Sequence, residues 1–156
     1  MQLEQLGVLL NSLVGEAVTA KLIAGNSISL WFSVPPMADT ARGIWIEPPW
    51  RIENQTGIET SSYGFPHQKN EGESDAEYRA RFDAACERSD LLRGNKLTAI
   101  QIDFFTGDLE LRFADGRTLR SFATETDWEV WHYEDAAAGK KFRVNGRLVQ
   151  VEQSDA

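Results

Sequence analysis

The chain repeats itself, and that limits how it can close. Leu13-Val14-Gly15-Glu16-Ala17-Val18-Thr19-Ala20-Lys21-Leu22-Ile23 lines up with Leu92-Arg93-Gly94-Asn95-Lys96-Leu97-Thr98-Ala99-Ile100-Gln101-Ile102. The shared pattern is Leu, any residue, Gly, two of any, an aliphatic, Thr-Ala, two of any, Ile. After a two-residue insertion, Ile28-Ser29-Leu30-Trp31-Phe32 matches Leu109-Glu110-Leu111-Arg112-Phe113, and a weaker match joins Trp50-Arg51-Ile52-Glu53 to Trp131-His132-Tyr133-Glu134. One copy offers a few strands and one helix, too little to shield its own apolar face. Two copies must therefore share a core.

Each copy reads in the same order. A helix comes first, then a turn at Gly15 or Gly94, then a strand, then a tight turn at Gly25-Asn26 or Thr106-Gly107-Asp108. The next strand alternates, with Ile28, Leu30 and Phe32 on one face and, in the second copy, Leu109, Leu111 and Phe113. Period-two alternation means one buried and one wet face. A third strand follows near Gly43–Glu47 and Arg117–Phe122, and Asn145-Gly146 makes a closing hairpin. Leucines at three- and four-residue spacing from Leu3 to Leu13 mark the first helix. Ser74 with Glu77 three residues on forms a capping box for the second, which should end near Ser89. The expected class is α+β: two copies of a helix plus antiparallel β-meander motif, packed as one pseudo-two-fold domain. The first repeat spans 1–60, a polar linker 61–74 and the second repeat 75–152, with residues 152–156 expected to fray.

Composition excludes several function classes. The net charge of −8 opposes non-specific DNA or RNA binding, which needs phosphate neutralisation. The acidity is uneven: residues 1–78 hold 10 acidic and 4 basic side chains, a balance of −6, which would steer a basic partner to the first half. No apolar run approaches the roughly 20 residues of a membrane span. Met1 to Leu13 holds Glu4 and no Lys or Arg, unlike a secretory signal. With a single cysteine, Cys86, a cytoplasmic setting is expected. Two distant histidines, His67 and His132, and one cysteine give no metal-ligand spacing. No Gly-rich phosphate loop precedes a helix, so no cofactor is expected.

Two segments carry chemistry. In Ile44-Trp45-Ile46-Glu47-Pro48-Pro49-Trp50-Arg51-Ile52 the prolines place a strand end or edge, because they donate no ladder bond. Ile44 and Ile46 face one way and Trp45 the other, so a helix or a partner should cover the second face. Trp45, Glu47, Trp50, Arg51 and Glu53 are the candidate partner-binding residues, since Trp and Arg anchor interfaces. The second segment, Asp127 to Asp135, groups carboxylates with an imidazole. If it is a strand, His132 shares a face with Val130 and Glu134, opposite Trp131 and Tyr133. Glu129, His132 and Glu134 are a candidate polar site, with His132 as a base oriented by a carboxylate. No nucleophile stands at recognisable spacing, and no catalytic residue is assigned.

The second copy contains Leu92-x-Gly94, Gly107-Asp108-Leu109-x-Leu111-x-Phe113-x-Asp115-Gly116, then Glu125, Trp128 and Trp131. In this it resembles a family of small uncharacterised bacterial proteins with duplicated β-rich repeats, some of which are similar to immunity proteins of secreted toxins. The resemblance implies a fold and a binding role and transfers no catalytic residue. The leading expectation is a non-enzymatic protein-binding module that neutralises a basic partner such as a toxin. One alternative is a homodimer formed through the same strand edge. Another is a small hydrolase centred on His132.

Overall fold

Strong local signals set the two helices. In the computed structural model, which describes residues 1–153, α1 spans Leu3–Leu10 and buries Leu3, Leu6 and Leu10 along one stripe. A 3-10 turn over Asn11–Leu13 continues it and buries Leu13. The helix α2 spans Asp75–Arg88. Ser74 caps it: its Oγ accepts from the Glu77 N–H at 3.2 Å, while Glu77 Oε2 accepts from the Ser74 N–H at 2.8 Å.

Between and after the helices the chain is almost all strand. The first half supplies β1 (Val18–Ala24), β2 (Ser27–Phe32), β3 (Arg42–Ile46), β4 (Trp50–Asn54) and β5 (Gly57–Ser61). The second supplies β6 (Leu97–Ile102), β7 (Leu109–Phe113), β8 (Thr118–Ser121), β9 (Trp131–Asp135), β10 (Lys140–Asn145) and β11 (Leu148–Gln153). All pairings are antiparallel. One sheet has the order β1-β2-β3-β9-β10-β11 and the other β5-β4-β8-β7-β6. Each sheet therefore joins a three-strand meander from one half to strands from the other.

The class differs from the α+β expectation. Strand accounts for 41% of the chain and helix for 18%, so the fold is mostly β, and a helix-plus-meander repeat does not describe it. The physical reason lies in what covers what. A single buried cluster draws on the inward residues of both sheets, among them Leu30, Ile44 and Trp131 from one and Ile52, Leu111 and Leu119 from the other. The sheets shield each other, and α1 adds three leucines to the cluster. The longer helix α2 buries only Ala85, so it cannot form a layer.

The two similar segments adopt matching local detail. Both first strands carry a register shift, between Val18 and Ala20 and between Leu97 and Ala99. Thr19 Oγ1 donates to the Trp31 carbonyl at 3.2 Å, and Thr98 Oγ1 to the Arg112 carbonyl at 3.1 Å. Ala17 and Lys96, equivalent in the repeat, face each other in an antiparallel bridge that ties the sheets together.

The segment 61–74 is more than a polar spacer. Ser62 and Phe65 are buried. Ser62 Oγ accepts from the Trp50 N–H at 3.2 Å, and the Phe65 ring lies between Trp50 and Phe82, with centroids 5.9 and 5.8 Å away. At the other end β11 continues through Glu152 and Gln153 as paired strand. The remainder of the stretch expected to fray, 154–156, lies outside the described residues.

The chain passes from one sheet to the other twice after β1, at Glu47–Pro49 and over residues 122–130. The two crossings bond to each other. The Glu47 N–H donates to the Val130 carbonyl at 3.0 Å, and the Phe122 N–H to the Pro49 carbonyl at 3.1 Å. The candidate site forms against this junction.

Candidate functional site

Alternation decides which side chains leave the core. Ile44 and Ile46 on β3, Trp131 and Tyr133 on β9, and Phe142 and Val144 on β10 are buried, so their neighbours turn to the outer face of the six-stranded sheet. Register then aligns them. Trp45 stands opposite His132, and His132 opposite Arg143; one step along, Gly43 faces Glu134, and Glu134 faces Lys141. Cross-strand neighbours of this kind touch. The Trp45 and His132 rings stack, with centroids 5.8 Å apart and planes 6° apart. β3 pairs with β2 on one side and β9 on the other, so it is not the sheet edge expected, and Trp45 stands half-buried on the outer face of the sheet.

Gly43 serves the same face. Trp31, its cross-strand partner, lies so close that a Cβ on Gly43 would stand 2.6 Å from the ring. The Trp31 indole donates to Ser29 Oγ at 3.2 Å and the residue is half-buried. Gly43→Ala should cost about 1 kcal/mol, at the low end of the usual 1–3 of core overpacking because this ring can swing toward solvent. Denaturant melts of the variant check the cost, and a red-shifted tryptophan emission checks the swing.

A pocket of about 680 Å³ lies over this face, bounded on one side by Trp45, Glu47 and Pro48 and on the other by the crossing segment from Phe122 to Val130. His132, Glu134, Lys141 and Arg143 also line it. His132 is only 6% exposed. Its Nδ1–H donates to Glu129 Oε1, and its Nε2–H donates to Glu134 Oε1 at 3.1 Å. With a carboxylate on each ring nitrogen, the imidazole is held as the cation. Burial opposes that charge, but the hydrogen bonds to Glu129 and then Glu134 outweigh it and raise the pKa above the ordinary range. Burial likewise works against the Glu129 carboxylate, yet His132 and the nearby Arg143 hold its pKa low; Glu134 is held low chiefly by its bond to His132.

The remaining charges nearly complete a closed set. Arg143 donates to Glu129 Oε2 at 2.8 Å and to Glu152 Oε2 at 3.0 Å. Lys141 Nζ lies 3.3 Å from Glu134 Oε1. The cations His132, Lys141 and Arg143 are thus matched by Glu129, Glu134 and Glu152. Two pocket carboxylates stand outside the set. Glu47 accepts only neutral donors, the Trp45 indole N–H at 2.6 Å and the Ser27 hydroxyl at 2.5 Å. Glu125 is exposed on the crossing segment. Among the described residues neither has a cationic partner. Trp128, beside them, is 71% exposed.

The structure regroups the residues singled out from sequence. Trp45 and Glu47 share the pocket with Glu129, His132 and Glu134, so two segments far apart in the chain make one site. Trp50 does not join them. It is 1% exposed and sits in the core, its indole donating to the Asn26 carbonyl at 2.6 Å. That removes it as a surface anchor. Arg51 and Glu53 lie on β4, in the other sheet, and belong to a charge ladder with Arg120 and Glu110. The sheet crossing at Glu47–Pro49 is the reason, because it separates the residues on its two sides onto different sheets. Sequence reasoning missed Phe122, Glu125, Trp128, Lys141 and Arg143 as site residues. For Lys141 and Arg143 a signal existed in the alternation of Phe142 and Val144, but nothing local said that β10 pairs with β9.

Among the described residues no group of three or more His, Cys, Asp or Glu is arranged to hold a metal ion. No described helix is long and apolar enough to cross a membrane. No protein-family model, curated protein or solved structure matches the chain.

Proposed function

We propose that this protein is a non-enzymatic binding module whose pocket on the outer face of the six-stranded sheet receives a basic group from a protein partner. The observation that carries this reading is the unmatched pair of carboxylates, Glu47 and Glu125, in a pocket whose three cations are already spent on three other carboxylates. A cationic group entering there meets two negative charges and the exposed Trp128, an arrangement that favours cations through both Coulomb attraction and the aromatic face. An anion would meet two uncompensated carboxylates and cations already paired with others.

The hydrolase reading has less support. A general base needs a nitrogen free to accept a proton, and each ring nitrogen of His132 faces a carboxylate oxygen, which favours the protonated ring. Steering by a net charge of −8 also fits a basic partner. An immunity-type role, neutralising a basic toxin, is one member of this class.

Binding of a 20-residue peptide of mixed Lys and Arg, followed by tryptophan fluorescence at low and physiological salt, tests the reading. Any acidic protein attracts such a peptide, so two variants with the same charge change are compared. Glu47→Gln should weaken binding about tenfold, the loss of one charge-assisted contact. Glu4→Gln, exposed on α1, should change it less than about twofold, the effect of a screened remote charge. Equal losses in the two variants would mean diffuse attraction and remove the pocket from the account.

A further inference from the structure

We infer that the basic group this pocket selects is a guanidinium, supplied by an arginine side chain of the partner, with Glu47 as its fork-shaped acceptor and Trp128 as its stacking surface. The inference rests on the reading above that the pocket takes a basic protein group, and it names which one.

An ionised carboxylate such as that of Glu47 has about four lone-pair sites, two on each oxygen. The Trp45 indole uses one on Oε1 and the Ser27 hydroxyl uses one on Oε2. One site therefore remains on each oxygen, and the group is held at both ends by neutral donors. A guanidinium, which offers two parallel N–H donors in a rigid fork, can use one such site on each oxygen at once. An ammonium is a compact, strongly hydrated point charge and gains little from having two oxygens presented side by side. The pre-set carboxylate also spares the entropy of freezing a glutamate on binding.

The aromatic lining points the same way. A guanidinium stacks on aromatic faces and sheds water more readily than an ammonium. The chain already does this on the pocket's own wall: the Arg51 guanidinium carbon sits 4.6 Å from the centre of the Phe122 ring. That face is therefore occupied. Trp45 has one face against His132, and Trp128, 71% exposed, is the most exposed aromatic side chain lining the pocket. Glu125, three residues earlier on the same segment, adds the second unmatched charge. The pocket's own cations are engaged elsewhere: Arg143 bonds Glu129 and Glu152, and Lys141 bonds Glu134.

The test uses the full chain, labelled with nitrogen-15, and two blocked tripeptides, acetyl-Gly-Arg-Gly-amide and acetyl-Gly-Lys-Gly-amide. Indole N–H resonances of Trp45 and Trp128 are followed at millimolar peptide, with each assigned by a Trp→Phe variant. The arginine peptide should shift both resonances and bind about tenfold more tightly than the lysine peptide. Glu47→Gln should abolish that preference, because the amide offers one oxygen in place of two. Trp128→Ala, on an exposed segment where folding is not at stake, should weaken the arginine peptide more than the lysine peptide. Equal affinity for the two peptides, at the same resonances, overturns the guanidinium assignment and leaves the basic-group reading standing. If neither peptide moves either resonance, both fall.

Discussion

Gly107→Ala is expected to destabilise the protein by about 3 kcal/mol, in the range where close packing is violated and cannot relax. Gly107 has φ +82°, a conformation that penalises a Cβ by roughly 1–2 kcal/mol on its own. A Cβ there would also stand 2.2 Å from the carbonyl oxygen of Gly146. That oxygen is backbone and cannot rotate away. The turn between β6 and β7 must then lift off the turn between β10 and β11. Lifting it breaks the bond from the buried Trp131 indole to the Gly107 carbonyl, 2.7 Å long, and an orphaned buried donor costs about 1–3 kcal/mol. Gly25→Ala is the matched control: its φ is +62° and nothing lies within 4 Å of its added Cβ. Chemical denaturation of both variants separates the two contributions. If Gly107→Ala costs no more than Gly25→Ala, the two turns do not meet as described.

His132→Ala should cost about 2–3 kcal/mol. Removing one member of a buried ionic cluster usually costs about 3–5 kcal/mol, because the rest is left charged and unmatched. Here the loss is smaller. Glu129 keeps Arg143, Glu134 keeps Lys141, and the Glu134 side chain is 33% exposed. The dependence on pH is the more specific signature. The folded imidazole titrates above its ordinary value of about 6.5. Its contribution is therefore complete below that value and is lost as pH rises through the folded pKa. Glu129 and Glu134 titrate below their ordinary value of about 4.3, so their contribution is present above it and disappears as pH falls through their folded pKa values. The stability gap between wild type and His132→Ala should be widest between about pH 4.5 and 6.5 and narrow on either side. Urea melts across that range measure it. A gap that stays constant with pH would show that the imidazole is not charged in the fold.

How much of this was legible depended on range along the chain. The α2 cap could be read because Ser74 and Glu77 sit three residues apart, and a capping box needs nothing else. The inward faces of β2 and β7 could be read because period two is a property of one strand. The class could not. A leucine stripe on the first helical segment and a capping box on the second suggested one helix for each copy of an α+β motif, yet α2 keeps all but Ala85 at least partly exposed while two sheets cover one another. Trp45 and Trp50 show the limit most clearly. They flank the same two prolines and were equal candidates for a surface. The chain changes sheets between them, so one stacks on His132 outside while the other is sealed in the core.

The sequence by itself determined the inward apolar faces of β2 and β7 and the cap of α2, because each of these is written in neighbours a few residues apart. Only the tertiary structure decided that β3 lies beside β9, and that pairing is what puts Trp45 against His132 and Glu47 across from Trp128's segment. Strand pairing between distant segments is chosen by how whole apolar faces can be hidden together, a property of the assembled sheets that no single stretch of residues carries.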